Sequence, residues 1–262
     1  MIKEAVKFQG SAVFEGMTSI RSIIKGFDLG VNDRKITTVY FDNGRLHKIG
    51  KDIGYLKAVS EKYGFTVVES DAEEIEKMSL GTTHGGIIAL AEERTIPCLT
   101  DNSDIPSDGF LCMIQGIEDP YNFGYSIRSL YACGCDGIIL PERNWMSAAG
   151  VVARSSAGAS ELIPMYTADP LAAADILHAR GYTIACADLR TDKLLGQCEL
   201  SEPLLFIVGG EKRGISRALL DKADVLVKIP YANQFHASLS AASATTMVAY
   251  EVMRQRMLNQ KK

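Results

Sequence analysis

From Phe110 onward, short apolar runs alternate with stretches of helix length, and this alternation restricts the chain more than any other feature. "FLCMIQGI", "GIILP", "ELIPMY", "YTIACAD", "LLFIVG" and "VLVKIP" have strand length and strand composition. The first is continuously apolar, as expected of a strand covered on both faces. Between these runs the pattern predicts a helix from about Gly124 to Cys133 and another over "SAAGVVARSSAGA". A third covers "DPLAAADILHARG", with Pro170 near its start and Gly181 at its end, and a fourth covers "SRALLDKAD". A long helix from about Ser240 to Met257 closes the chain. Strands and helices in this order predict an α/β domain with a parallel sheet.

The chain before Glu93 reads as a smaller α/β unit. "KITTVYFDN" alternates like a strand, and "GYLKAVSEKYG" places Leu56, Val59 and Tyr63 at helical spacing before Gly64. "FTVVES" is a second strand, and "DAEEIEKMSL" a short helix capped by Asp71. "TDNSDIPSDG" has turn composition without apolar periodicity. The expected division is therefore an N-terminal domain over 1–99, a surface linker over 100–109 and a second domain over 110–262.

Composition limits the setting. Of 262 residues, 47% are hydrophobic and 23% charged, which is ordinary for a globular chain. No apolar run approaches the ~20 residues that span a bilayer, and "MIKEAVKFQG" lacks a signal-peptide core. The expected location is cytoplasmic. The six cysteines include no Cys-x-x-Cys pair, and the histidines do not gather beside them, which argues for reduced thiols and against a metal site. The net charge of −4 argues against a protein coated in nucleic acid, although the first quarter is mildly basic and the remainder acidic.

In a parallel α/β sheet, ligands bind beyond the carboxyl ends of the strands. Three loops there have unusual composition. In "GIEDPYNFGYSIRSLYACG", Asn122 lies at the helix start, where it suits a cap, and Arg128 follows beside Ile127 and Leu130. In "LFIVGGEKRGIS", Gly209 and Gly214 have the spacing of a phosphate loop, but Ile215 stands where its lysine belongs. Gly209, Gly210 and Gly214 also miss the dinucleotide fingerprint, and Glu211 sets a negative charge beside the backbone donors. The loop suits a ligand that is neutral or cationic at this point. The third loop, "IPYANQFHASLSAASATTMVAYE", is rich in small polar residues and carries no serine-hydrolase signature.

Together the three loops resemble the motifs of the SPOUT-class RNA methyltransferases of the SpoU/TrmH type, over about Phe110 to Arg256. "NFGYSIRS" resembles the family's Asn-x-Gly-x-x-x-Arg, and "VGGEKRGIS" its Gly-x-Glu-x-x-Gly. "IPYANQFHASLSAASATTMVAYE" resembles Ile-Pro followed by Ser-Leu-Asn-x-Ser and an alanine-rich helix, with Ser240 in place of the usual Asn. The N-terminal part, ending in "THGGIIAL", resembles the small ribosomal-protein-like RNA-binding domain common in this branch.

The resemblance implies a deep C-terminal trefoil knot, S-adenosylmethionine as cofactor, a homodimer, and methylation of a ribose 2′-hydroxyl in structured RNA, rRNA ahead of tRNA. It implies Asn122, Arg128, Glu211 and Ser238 as catalytic-site residues. Gly209, Ile229 and Leu239 would line the cofactor pocket. It implies no metal and no membrane. A sulfonium cofactor carries no phosphate, so the missing lysine is expected. His236 in the third loop is a further titratable group. The competing reading is a non-catalytic RNA-binding or ribosome-assembly protein of the same fold, for which Ser240 is the main support.

Overall fold

The computed structural model describes residues 12–141, 148–210, 214–234 and 237–259. The chain separates into two compact units, Met1–Thr95 with Asn144–Leu162, and Ile96–Arg143 with Ile163–Lys262.

The first unit begins with strand β1 (Ala12–Glu15) and helix α1 (Gly16–Asp28). Helix α1 buries Ile20, Ile23 and Ile24, the spacing of a single helix face. Strand β2 (Ile36–Asp42), helix α2 (Leu46–Tyr63), strand β3 (Thr66–Ser70), helix α3 (Ala72–Met78) and strand β4 (Ile87–Ala91) follow. Asp71 caps α3 as its sequence predicts, accepting the Glu74 N–H at 2.8 Å. The sheet order is β1-β4-β2-β3, with β2 and β3 parallel and the other pairs antiparallel. Every residue of β4 is buried, because that strand lies inside the sheet and is apolar throughout. Phe14, Ile20, Val39, Leu56 and Ala89 form the centre of the core.

The second unit carries β5 (Phe110–Gln115), α4 (Pro120–Ala132) and β6 (Gly137–Leu140). Helix α5 (Ala149–Ser155) interrupts the sequence of this unit and belongs to the first. Then come β7 (Met165–Thr167), α6 (Pro170–Ala179), β8 (Thr183–Ala187), β9 (Leu204–Gly209), α7 (Arg217–Lys222), β10 (Val225–Val227) and α8 (Ala241–Asn259). The six strands form one parallel sheet in the order β10-β8-β9-β5-β6-β7. This is the parallel α/β arrangement that the alternating pattern predicts.

Three details differ from the sequence reading. Helix α4 starts earlier, because Asp119 accepts the N–H groups of Tyr121 and Asn122 and Pro120 takes the first helical position. The stretch 100–109 is packed on the second unit as well as joining elements. Leu99 and Ile105 lie in that unit's core, and Arg180 donates to the Ser103 and Ile105 carbonyls at 2.9 Å each. Finally, "ELIPMY" is strand only from Met165, and residues 148–162 belong with the first unit rather than with 110–262.

That inserted segment is held by buried charge. Glu161 pairs with Arg34 at 2.9 Å, with their side chains only 3% and 4% exposed. Asn32 donates to the Glu161 carbonyl, and Arg94, also buried, donates to the Ser160 carbonyl, each at 2.7 Å. Arg154 of α5 bonds to the buried Glu15 carboxylate at the end of β1. Close approach is possible because residue 150 is glycine. A Cβ there would lie 1.8 Å from the Val13 carbonyl oxygen of β1. Ala153 then completes the core around Phe14.

Among the described residues, no helix is long and apolar enough to cross a membrane, and no cluster of three or more potential ligands could hold a metal ion.

The ion pair gives a test. Glu161→Ala leaves Arg34 a buried cation without its carboxylate. It should lower stability by about 3–5 kcal/mol, read from the midpoint of urea unfolding.

Candidate functional site

Strands β5 and β9 run side by side over their full length, from Phe110 opposite Leu204 to Gln115 opposite Gly209. Both strands therefore release the chain at the same edge of the sheet. After β5, Gly116 takes φ +73°, and after β9, Gly210 lies against it. A Cβ on Gly210 would stand 2.1 Å from the Gly116 carbonyl oxygen, a distance no side chain tolerates. A Cβ on Gly209 would stand 2.5 Å from the Gly214 carbonyl carbon. The glycine turn closes through the Gly214 N–H, which donates to the Gly210 carbonyl at 2.9 Å, with Gly214 at φ +62°. Ser216 N–H reaches back to the Gln115 side chain at 3.4 Å. Two loops of the sequence reading are thus joined backbone to backbone. Glu211 lies outside the described residues.

Helix α4 carries the first group of site candidates. Asn122 sits half-buried in its first turn, and its N–H donates to the Asp119 carboxylate at 3.1 Å. Asp119 is the cap, so Asn122 does not fill the capping place its position in the sequence suggested. Arg128 is exposed further along α4. Ser129 turns to the last helix and shares a 2.7 Å hydrogen bond with Thr246 of α8. On α8, Val248, Ala249 and Val252 are buried.

The third loop follows β10. Lys228 exchanges backbone hydrogen bonds with Lys193 and Leu195, and Ile229 is buried behind it. The loop folds back where the Leu239 N–H donates to the Tyr231 hydroxyl at 3.1 Å. Ile229 precedes this turn and Leu239 closes it, while Ser238 is exposed. His236 lies outside the described residues. Ser240 has a clear structural role. Its hydroxyl accepts the Ser243 N–H at 3.1 Å and its carbonyl accepts the Ala244 N–H at 3.0 Å, the geometry of an N-cap on α8.

Residues that the sequence reading does not single out prove structural here. Gly116 is the partner that requires Gly210 to lack a side chain, and its signal was a glycine directly after an apolar strand. Tyr231 closes the third loop, and no local pattern announces it.

Thiol chemistry is not supplied by the strands beneath the site. Burial pushes the Cys112 thiol well above its ordinary range and those of Cys135 and Cys186 up to about 12. These groups remain protonated at neutral pH and act as small apolar side chains. The edge offers instead a glycine turn at which backbone meets backbone, with Gly209 half-buried and Gly214 exposed.

The sequence profile of the SpoU rRNA Methylase family matches residues 109–250. A 23S rRNA (guanosine-2′-O-)-methyltransferase, RlmB, of Shewanella oneidensis is 29% identical over 204 residues, covering 75% of this chain and 81% of the relative. A putative TrmH family tRNA/rRNA methyltransferase of Staphylococcus haemolyticus is 34% identical over 145 residues, 55% of this chain and 58% of that protein. The fold is similar to that of an AdoMet-bound rRNA methyltransferase from Sinorhizobium meliloti, with a TM-score of 0.76 and 24% identity, covering 94% of this chain and 87% of the other.

The backbone contact and the cap can be probed separately. Gly210→Ala must displace either Gly116 or the glycine turn, and should cost about 1–3 kcal/mol in urea unfolding. Gly196→Ala, whose Cβ meets nothing within 4 Å, is the control and should leave the midpoint in place. Ser240→Ala should cost about 1 kcal/mol through the lost cap, whereas Ser240→Asn should hold stability within a few tenths of that unit.

Proposed function

The chain belongs to the SpoU rRNA methylase family, and we propose that it is an S-adenosylmethionine-dependent methyltransferase acting on a ribose 2′-hydroxyl of ribosomal RNA. The observation that carries this reading is the glycine turn pinned by Gly116 at the carboxyl edge of the parallel sheet. Backbone approaches there without intervening side chains, which suits an adenosine-bearing ligand that brings no phosphate. The residues fit such a cofactor. Gly209 would hold it through backbone groups, and Ile229 and Leu239 would supply the apolar wall from the third loop. When bound, S-adenosylmethionine supplies an electrophilic methyl group on its sulfonium.

The chain's own task is then to bind RNA, align the ribose oxygen and stabilise the charge that develops on it. Alignment of two reactants can supply roughly 7–11 kcal/mol of barrier reduction. Arg128, exposed on α4, would meet the charge. A guanidinium keeps its proton below about pH 12, so its role is to hold an RNA phosphate and the developing alkoxide, not to take a proton. Asn122, in the first turn of the same helix, and Ser238, exposed in the third loop, would orient the ribose, together with Glu211.

Three further parts of the reading rest on family membership. The first unit would be the small ribosomal-protein-like domain that binds substrate RNA. The C-terminal segment would form a trefoil knot. In support, Gln255 of α8 bonds to Cys198 and Leu200 in the long β8–β9 connection. The protein would act as a homodimer in the cytoplasm. Helix α8 supports self-association by leaving Met247, Tyr250, Met257 and Leu258 each 45–57% exposed.

The competing reading, an RNA-binding protein without activity, draws on Ser240. Serine and asparagine cap helices about equally well, so the substitution found here conserves the role the structure gives that position.

Calorimetry with S-adenosylmethionine and a methyl-transfer assay on rRNA test the proposal together. Arg128→Ala should keep cofactor binding and lower turnover by about 100-fold or more. Near-normal methylation by this variant would overturn the role of Arg128, and absent cofactor binding by the unaltered chain would overturn the function.

A further inference from the structure

The first unit contains a cavity that its own core leaves unfilled. It lies where the ends of α1 and α2 meet the start of β2, and its volume is about 100 Å³. Ile23 and Ile24 of α1 and Ile36 of β2 give it apolar walls. Phe27 stands at the mouth, 45% exposed, with its ring edge-on to that of Tyr63 and 6.3 Å between centroids. The Tyr63 hydroxyl donates to the Asp28 carboxylate at 2.7 Å, and Lys62 reaches the same carboxylate at 3.2 Å, so these three side chains hold one another in place.

One wall is cationic. Arg34 lines the cavity with its side chain only 4% exposed. Its Nε donates to Glu161 at 2.9 Å and its Nη1 to the Glu92 carbonyl at 2.8 Å, which leaves Nη2 without an acceptor among the described residues. A guanidinium donor left open beside apolar walls is satisfied only by an acceptor brought from outside. Lys35, next in the chain, also lines the cavity, is exposed and pairs with no carboxylate among the described residues.

Size, wall and charge together select the occupant. An engineered apolar cavity of ~150 Å³ holds benzene, so this one takes a single six-membered ring with its attachment at the mouth, and fused rings exceed it. A phenylalanine or leucine side chain of a partner protein would fill the walls but leave Nη2 unsatisfied. A pyrimidine nucleotide brings the ring, a carbonyl oxygen for Nη2 and a phosphate for Lys35. Unpaired RNA bases are read in this way, packed on aromatic side chains and hydrogen-bonded along their edges. We infer that this cavity is a pocket for an unpaired pyrimidine of the substrate RNA, at a nucleotide other than the one methylated. The inference rests on the reading of the chain as an RNA methyltransferase and adds a base preference seated in the first unit.

The test uses the full chain with oligouridylate, oligocytidylate and oligoadenylate of equal length, affinity being read by fluorescence anisotropy. The unaltered chain should bind a pyrimidine oligonucleotide about tenfold more tightly than oligoadenylate. Phe27→Ala should remove that preference while affinity for S-adenosylmethionine stays the same, and Phe27→Tyr should keep it. Lys35→Ala should weaken all three oligonucleotides alike and reduce the salt dependence of binding by about one charge. Equal affinity of the unaltered chain for pyrimidine and adenine oligonucleotides would overturn the inference and leave the cavity to a side chain of a partner protein. A preference that survives Phe27→Ala would overturn it too, as would a free pyrimidine nucleotide that competes mole for mole with the oligonucleotide. Should Phe27→Ala not fold, Lys35→Ala decides, and an unchanged salt dependence rejects the pocket. Methyl transfer to rRNA is read separately. A chain that prefers pyrimidines through Phe27 but transfers no methyl group keeps the pocket and loses the proposed activity, whereas one that methylates without the preference loses only the pocket.

Discussion

The parallel pairing of β5 with β9 sets the geometry on which the second unit's chemistry depends. Six consecutive residue pairs fix where both strands end. The chain leaves each strand through a glycine, and the two glycines meet with room for backbone alone. A shift of β5 by one residue would bring the side chain of Gln115 or Ile117 into that contact. The turn is thus fixed by the sheet beneath it. Rigid strands at the base, with specific residues in loops above them, is the usual division of labour in α/β domains.

Much of this was legible before any coordinates. Alternating runs gave the parallel sheet because a doubly covered strand must be apolar along its length, and β5 is. Asp71 and the Pro170 start of α6 were readable because capping chemistry is local. The failure of the phosphate fingerprints at Ile215 was likewise a local fact, and it limited the ligand correctly. Resemblance of the three loops then agreed with the family match over 109–250.

What sequence did not reveal involves partners distant along the chain. The residue before Leu162 reads as the start of a strand, yet it is a buried carboxylate fixed by Arg34 across more than a hundred positions. Residues 100–109 have loop composition and still pack, because Ile105 enters the core beside Leu99 and Arg180 donates to the Ser103 and Ile105 carbonyls. Asn122 suits a cap by type, but Asp119 takes that place, with Pro120 at the first helical position after it. Ser240 looked like a departure until its hydrogen bonds showed that the position asks for a cap.

The first unit is discontinuous in the gene. Its core needs Ala153 and its buried ion pair needs Glu161, both encoded after the opening strands of the second unit. During synthesis, a ribosome that has finished residue 95 has not yet made the pieces that complete this unit. The two units also cannot be recombined by a single crossover, because any cut between Thr95 and Ala149 parts the first from its own core. Evolution must therefore inherit them together or rebuild the interrupted one, so a change in either unit is selected in the presence of the other.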